Sequence, residues 1–297
     1  MTKPPIIVVG VDGSRHADAA LRFAAALARW LGARLVLAAA YVSPSSERED
    51  AIAAERARAE DVAESARLGV EFIGDVRSLL VAGATPARAL HRAADLEQAD
   101  LLVVGSSERR RVAGLQPGSV AEAVLHHSAC PVAVVPERAG EPAFGRIGVA
   151  VEDGVAAYAA LDLALRIAAG VGGGRPELDL LHIAPPDVAF LRPGVPAPEP
   201  EYDYTPPWLE SIAGEASEHV PTNVVQDAGH AGRRLVQRAS GLDLLVMGSR
   251  DLGGVRRLVL GSTSAYVVRN AGCPVIVVPA ARSGFDRPSA ISFRRAG

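Results

Sequence analysis

The chain has 297 residues, 49% of them hydrophobic, and a formal net charge of −3 at pH 7. This length suffices for about two domains of ordinary size, and the hydrophobic content excludes an intrinsically disordered chain. The charge balance, with only short arginine groups at 109–111 and 256–257, argues against a nucleic-acid-binding surface. Lys3, in the N-terminal tail, is the only lysine, which excludes a phosphate-binding loop with its lysine and Schiff-base chemistry.

The N-terminal residues MTKPPIIVVG contain no charged region followed by a long apolar segment and a cleavage site, so no secretory signal is predicted. The most apolar stretch, 23–42, is interrupted by Arg29 and Arg34 and cannot span a bilayer. We therefore expect a cytoplasmic protein with no membrane partner.

Apolar runs and helical patterns alternate along the first half of the chain. Strands are predicted at 6–12, 33–42, 76–82, 101–106 and 131–136, and helices at 17–30, 47–68, 86–97 and from about 119. The first of these segments, IIVVGVD, is a continuous apolar run, which is typical of a strand that is buried on both faces. The fold class is therefore α/β, with a parallel sheet covered by helices on both faces.

The same skeleton occurs twice. LLVVGS at 101–106 returns as LLVMGS at 244–249, and ACPVAVVP at 129–136 returns as GCPVIVVP at 272–279, in one constant register. The duplication predicts two tandem Rossmann-like domains, each an open sheet of five parallel strands. We expect domain 1 at 1–138, a linker at 139–145, domain 2 at 146–280 and a disordered tail at 281–297.

The second copy differs by a proline-rich segment at 185–207. The stretch from Pro185 to Trp208 contains eight prolines, too many for a helix or the interior of a sheet. It is predicted to be an exposed loop, either a solvated insertion or a segment that acts as a lid or docks a partner.

Cysteine and histidine give no sign of a metal site. Cys130 and Cys273 are too few for a disulfide framework or a thiolate site, and both are expected to be buried as small hydrophobic residues. The seven histidines show no metal-ligand spacing, and the adjacent His126 and His127 cannot share one face of a helix.

Several small polar residues follow the strands of the first copy, where parallel α/β sheets bind ligands. Asp12 comes after the first strand, Val42 ends the second and Gly105 lies near the end of the fourth, while Gly118 and Ser119 open the next helix. Backbone N–H groups and the helix dipole at that point are suited to a phosphate.

Each of these residues also has a structural explanation. Ser119 followed by Glu122 fits a capping box, and Asp12 fits a helix N-cap. Gly105 and Gly248 fit tight turns after a strand. Both interpretations stay open on the sequence alone.

GVDGS at 10–14, VVGS at 103–106 and CPVAVVP at 130–136 resemble the universal stress protein family over nearly the whole chain. The resemblance implies an ATP motif of glycine, two residues, glycine, nine residues, then glycine and serine or threonine. In this sequence the middle glycine is replaced by Glu108 in the first copy and by Asp251 in the second.

The resemblance also implies the residues of two nucleotide sites. In the first half Val11, Asp12 and Val42 would flank adenine and ribose, and the corners Gly105-Ser106 and Gly118-Ser119 would face phosphate. The weaker equivalents in the second half are Glu152, Ile183, Gly248, Ser249, Gly261 and Ser262. The first half is the better candidate, because the second has Glu152 in the position of Asp12.

A carboxylate at the middle motif position opposes a triphosphate. Two unit charges ~4 Å apart repel by about 4 kcal/mol at a surface-like dielectric, which lowers affinity by roughly a thousandfold. Mg²⁺ would reverse this effect by bridging carboxylate and phosphate. We therefore expect ATP binding that is weak without Mg²⁺ or restricted to domain 1.

Three classes of function are compatible with these features. The resemblance implies a non-catalytic stress-response module that binds adenine nucleotide. The alternative is a structural or interaction protein with empty crevices. An enzyme, such as a nucleotide hydrolase, ranks last because no paired histidines and no serine, histidine and acid arrangement support turnover.

The apolar runs 132–136 and 275–279 end the two copies. Exposed apolar strand edges tend to pair, and the family resemblance implies that terminal strands join two domains. We expect the two halves to form a pseudo-symmetric pair and two chains to associate as a homodimer through these strands.

Overall fold

The computed structural model describes residues 3–42, 49–106, 120–170, 175–185, 205–249 and 260–279. Within these ranges the chain contains ten strands and eight helices. The strands are β1 (Ile6–Val11), β2 (Arg34–Val42), β3 (Val76–Gly83), β4 (Leu101–Ser106), β5 (Val132–Pro136), β6 (Arg146–Ala150), β7 (Glu177–Ala184), β8 (Thr222–Ala228), β9 (Leu244–Gly248) and β10 (Val275–Val278). The helices are α1 (Arg15–Leu31), α2 (Glu49–Leu68), α3 (Pro86–Glu97), α4 (Val120–Leu125), α5 (Val155–Gly170), α6 (Pro207–Ser217), α7 (Ala231–Ala239) and α8 (Ser262–Asn270).

All ten strands form one sheet in the order β3-β2-β1-β4-β5-β10-β9-β6-β7-β8. Every pair inside a half is parallel, and β5 pairs with β10 antiparallel. The predicted α/β class with two Rossmann-like halves is confirmed. In the first half the strand order reverses between β1 and β4, and in the second between β6 and β9, so each half has its own crevice position.

The helices cover both faces of the sheet because alternate strand residues point to opposite sides. Ile7 and Val9 belong to one apolar cluster, with buried residues of α1, α2, α5 and α6. Ile6 and Val8 belong to the other, with buried residues of α3, α4, α7 and α8. Each cluster runs through both halves, so the two domains share one sandwich of helices around one sheet.

Local signals fix the ends of α1. Ser14 is its N-cap, and its hydroxyl oxygen accepts a hydrogen bond from the backbone N–H of Ala17 at 3.3 Å. Gly32 ends the helix with a φ of 58°, in the left-handed region that glycine adopts at little energetic cost. These caps place the N-terminus of α1 beside the carboxyl end of β1.

The terminal strands join the halves of a single chain. β5 lies between β4 and β10, and β10 lies between β5 and β9, so both edges of each strand are already hydrogen-bonded. The predicted pairing of the halves is therefore observed. The expectation of a homodimer through these same strands is corrected, because neither strand has a free edge for a second chain.

The connection between β5 and β6 is packed against α1. Phe144 is only 1% exposed, its ring lies 5.3 Å from the ring of Phe23, and Trp30 meets it edge-on at 4.4 Å. The predicted linker thus contributes an aromatic side chain to the apolar cluster of both halves. Most of the proline-rich segment, 186–204, and the predicted tail lie outside the described residues.

Candidate functional site

Asp12 follows β1 at the point where the strand order of the first half reverses. Its carboxylate accepts hydrogen bonds from the backbone N–H of Ser14, at 3.0 Å, and from the Ser14 hydroxyl. Gly13, between them, has a φ of 75°, which permits this tight turn. The alternative that Asp12 caps α1 is therefore wrong, because Ser14 is the cap and Asp12 orients Ser14.

The Asp12 carboxylate is fixed and still accessible. Its side chain is 63% exposed, and Nε2 of His16 lies 3.9 Å from its Oδ2. An exposed acidic side chain held at a strand end is a suitable acceptor for sugar hydroxyls. In the second half Glu152 takes this position and is also exposed, but no hydrogen bond holds its carboxylate within the described residues.

The other first-half candidates surround this strand end. Val11 is buried, and Val42 ends β2 opposite Gly83 in the sheet register. Ser106 is the last residue of β4 and pairs with Pro136. Gly118, Ser119 and Glu108 lie outside the described residues, as does Asp251 of the second half.

Gly105 and Gly248 are required for packing between a strand and a helix. A Cβ at Gly105 would lie 2.1 Å from the carbonyl oxygen of His16, and one at Gly248 would lie 2.6 Å from the Cβ of Ala156. Neither glycine has a positive φ within the described chain, so the turn explanation is wrong. These glycines let the first turns of α1 and α5 pack against the ends of β4 and β9.

The second half contains a cavity of about 170 Å³ at the carboxyl ends of its strands. Its lining includes the predicted residues Glu152, Ile183, Gly248 and Gly261. Its apolar wall is formed mainly by Leu181, Ile183, Leu235 and Met247, and its polar wall by Glu152, Thr263 and Ser264. The structure thus brings together four of the six residues predicted for this half.

The remaining two predicted residues lie outside the cavity lining. Ser249 is 2% exposed, and its backbone N–H donates to the carbonyl oxygen of Val278 at 2.8 Å, which ties the end of β9 to β10. Its hydroxyl has no hydrogen-bond partner within the described part of the chain. Ser262 begins α8 and is exposed.

Sequence reasoning missed Thr263 and Ser264, which lie in the first turn of α8. The available signal was the run of small polar residues STS at 262–264, directly after Gly261. It also missed Met247, where the first copy has Val104 in the otherwise similar strand. Differences between the two copies were therefore informative about the cavity wall.

Glu122, the suggested partner in a capping box, makes a contact between the halves. Its carboxylate accepts hydrogen bonds from the Arg269 guanidinium of α8 at 2.6 and 3.2 Å. This hydrogen bond lowers the pKa of the Glu122 carboxyl below its usual range. The ion pair thus joins α4, which follows Ser119, to α8, which begins at Ser262.

Both cysteines are buried, as predicted from the sequence, and both are free thiols. Burial raises the pKa of Cys130 to about 11 and that of Cys273 to about 12. The thiols therefore stay protonated at neutral pH and are poor nucleophiles.

This burial makes the thiols reporters of unfolding. We expect Ellman's reagent to modify neither thiol within minutes in native protein at pH 8, and to modify both at once in denaturant. The absorbance of released thionitrobenzoate gives the count. Stoichiometric modification of the native protein at the rate of a free thiol would contradict the buried positions.

Within the described ranges, no cluster of three or more His, Cys, Asp or Glu side chains is arranged to hold a metal ion. In the same part of the chain no helix is long and apolar enough to cross a membrane.

The sequence profile of the universal stress protein family matches residues 5–136 and again residues 143–279. The universal stress protein Rv2005c of Mycobacterium tuberculosis is 30% identical over 292 residues, which cover 91% of this chain and 96% of the relative. Universal stress protein Rv2624c of the same organism is 28% identical over 287 residues, covering 92% and 95%.

A solved structure of a universal stress protein from Archaeoglobus fulgidus has the same fold, with a TM-score of 0.74. It is 21% identical and the match covers 94% of this chain and 100% of that one. The likeness extends over both halves, as does the family profile. The chain is therefore a member of the universal stress protein family and carries the family's domain twice.

Proposed function

We propose that the protein is a non-catalytic stress-response module that binds adenine nucleotide in its first half. The observation that carries this proposal is the Asp12 carboxylate, exposed and oriented by Ser14 at the point where the strand order reverses. Such a carboxylate is ready to accept a hydrogen bond from a ribose hydroxyl without a rearrangement of the loop. Family membership supports the stress-response role.

Several features support binding without turnover. The only lysine is Lys3, and both thiols are buried and protonated, so two common covalent nucleophiles are missing.

We further propose that the protein acts in the cytoplasm and that its domains are 1–138 and 146–280, with a linker at 139–145. The end of β5 at Pro136 and the start of β6 at Arg146 are consistent with this division.

Glu108 is the residue that we propose limits the affinity of the first half. Its carboxylate replaces the middle glycine of the motif and repels a triphosphate. Asp251 has the same effect in the second half. We expect calorimetric titration of ATP to show weak binding in EDTA and clearly tighter binding with excess Mg²⁺, because the cation bridges carboxylate and phosphate.

The decisive variants are Glu108→Gly and Asp251→Gly. Each should tighten ATP binding in the absence of Mg²⁺, by up to about a thousandfold if the carboxylate lies about 4 Å from a phosphate. Calorimetry of the single variants assigns the gain to one half. Glu141→Gly, which removes an exposed carboxylate from the connection between the halves, is the matched control and should leave the affinity unchanged.

Submicromolar affinity of the wild-type chain in EDTA would contradict the repulsion argument.

A second candidate, a nucleotide-independent interaction protein, is favoured by Glu152, which occupies the position of Asp12 without the hydrogen bonds that orient Asp12. If ATP binds neither the wild type in the presence of Mg²⁺ nor either of the two glycine variants, the nucleotide-independent interaction protein is the correct candidate.

A further inference from the structure

The sheet ends in two edge strands, β3 in the first half and β8 in the second. In β3 the direction of the backbone groups follows from the pairing with β2. The N–H of Leu35 donates to the carbonyl oxygen of Asp75, and Leu35 lies opposite Val76 in the parallel register. Alternate residues of β3 therefore bond to β2, and the N–H and C=O groups of the others point away from the sheet. These outward residues are Val76, Ser78, Leu80 and Ala82.

The outward groups of β3 are unprotected. None of them has a hydrogen-bond partner in the part of the chain that the structure describes. The strand contains no proline, and its register with β2 is uninterrupted from Val76 to Gly83, so no bulge turns the edge away. Natural edge strands usually carry such devices, and an edge without them is a template for pairing with another strand.

The edge of β8 is different, because its outward residues at the carboxyl end are engaged. The N–H of Ala228 donates to the Asp227 carboxylate at 2.8 Å, and its carbonyl oxygen accepts from the Arg234 guanidinium at 3.0 Å. The side chain of Gln226 donates to the Thr205 hydroxyl at 2.9 Å, which holds the chain ahead of α6 beside this strand. Of the two edges, β3 is therefore the more open.

The free edge of β3 is complementary to itself. In an antiparallel pair centred on Leu79, Val76 of one copy faces Ala82 of the other, and Ser78 faces Leu80. Each of these pairs exchanges both of its hydrogen bonds. One register thus satisfies every outward N–H and C=O group of both strands, as a two-fold symmetric interface requires.

The side chains around the edge also fit a second copy. Leu79 and Leu80 are only half-buried, and Leu79 would lie directly opposite the Leu79 of the second copy. Leu68 at the end of α2 and Leu96 near the end of α3 are 58% and 61% exposed, and these two helices pack on β3 from opposite faces of the sheet. A second chain paired with β3 therefore covers apolar surface on both faces.

Charge does not oppose this pairing. Arg77 is the only charged side chain in β3, and its guanidinium binds the Glu97 carboxylate at 2.7 Å. In the register centred on Leu79, the two copies of Arg77 lie on either side of the centre, ~13 Å apart at the usual rise of a strand. This separation exceeds the Debye length of ~8 Å at physiological ionic strength, so their repulsion is largely screened.

We propose that two copies of the chain associate through β3, whose free edge pairs antiparallel with the β3 of the second copy and joins the two sheets into one. This interface differs from the pairing of β5 with β10, which is internal to the chain. None of the residues proposed to bind nucleotide belongs to β3. The association is therefore independent of the outcome of the ATP titration.

Light scattering after size-exclusion chromatography of the full chain should give twice the mass of one chain, and dilution gives the dimer Kd. Ser78→Pro should raise this Kd roughly a hundredfold, because each copy loses a hydrogen bond across the interface. Proline at an outward position removes no bond to β2, and circular dichroism checks that the fold is kept. Val224→Pro, at an outward position of β8, is the matched control and should leave the Kd unchanged.

The variant Leu79→Cys tests the register. Residues that face each other in a non-hydrogen-bonded antiparallel pair have Cα atoms ~4.5 Å apart, within the range of a disulfide. Oxidised Leu79→Cys should therefore give a covalent dimer on a non-reducing gel, whereas Arg77→Cys, ~13 Å from its copy, should not. Both native thiols are buried, so the introduced thiol is the one that reacts.

A chain that stays monomeric at every concentration would overturn the proposal, even if a peptide from another protein were found to pair with β3. A dimer whose Kd is unchanged in Ser78→Pro would overturn it as well. If Ser78→Pro fails to fold, the cysteine variants decide: no cross-link in Leu79→Cys, or equal cross-linking in Arg77→Cys, contradicts the proposed pairing.

Discussion

Gly105→Ala is expected to destabilise the protein by about 3 kcal/mol, at the upper end of the usual range for overpacking. The added Cβ would lie 2.1 Å from the carbonyl oxygen and 2.4 Å from the carbonyl carbon of His16. These are backbone atoms of α1, so no side-chain rotation relieves the clash and the helix itself must shift. The shift would also move Asp12 and Ser14, which lie directly before α1.

The expected loss is read from the midpoint of urea unfolding, followed by circular dichroism. Gly248→Ala should cost somewhat less, because its nearest contact is 2.6 Å, to the Cβ of Ala156. Gly214→Ala is the matched control: Gly214 lies inside α6 with no atom within 4 Å of the added Cβ, and the change should stabilise the helix by about 0.5–1 kcal/mol. Equal midpoints for all three variants would refute the close helix packing.

Phe144→Ala is expected to cost about 3–5 kcal/mol, the usual range for removing a buried phenylalanine. The ring is fully enclosed between Phe23 and Trp30 and belongs to the apolar cluster shared by both halves. Its loss leaves a cavity at the junction, where the antiparallel pair of β5 and β10 also joins the halves. We expect the variant to unfold in two steps, because the halves lose part of their coupling.

Tryptophan fluorescence and circular dichroism, followed together through urea unfolding, measure this effect. Trp30 lies beside Phe144 and reports on the junction. Phe72→Ala is the control, since Phe72 is 66% exposed and its removal should change stability by less than about 0.5 kcal/mol. A Phe144→Ala midpoint close to that of Phe72→Ala would contradict the packing of the connecting segment.

The same junction bears on how the two crevices relate to each other. Glu122 and Arg269 connect the short helix α4 to α8, whose N-terminus borders the cavity of the second half. Both side chains are partly exposed, so the pair adds little to stability. The ion pair is one contact between the two family domains, which are also joined by the pairing of β5 with β10.

Much of the fold was predictable from local sequence. The apolar runs are long enough to be recognised as strands without any tertiary information, and α1 begins within two residues of its predicted start. The constant register between the copies predicted two similar halves, and the alternation of strands and helices predicted parallel pairing. These features depend on residues close together in the chain.

The candidate site was only partly predictable. Asp12 was identified from its position after a strand and Glu152 from the family resemblance, but the structural roles suggested for Asp12, Gly105 and Gly248 were wrong. A serine two residues after an aspartate gives no sign of which one caps the helix, because both side chains are good caps. Likewise, a glycine at a strand end is equally compatible with a turn and with a close contact.

By itself the sequence determined the duplication, the α/β class and the identity of the residues at the strand ends, since the period and spacing of side chains within a segment carry that information. Only the tertiary structure decided that β5 and β10 have no free edge for a second chain, that Gly105 meets the backbone of α1, and that the N-termini of α7 and α8 border one cavity. These contacts join segments that are distant in the chain, and they are selected by packing of complementary surfaces, for which no local pattern exists.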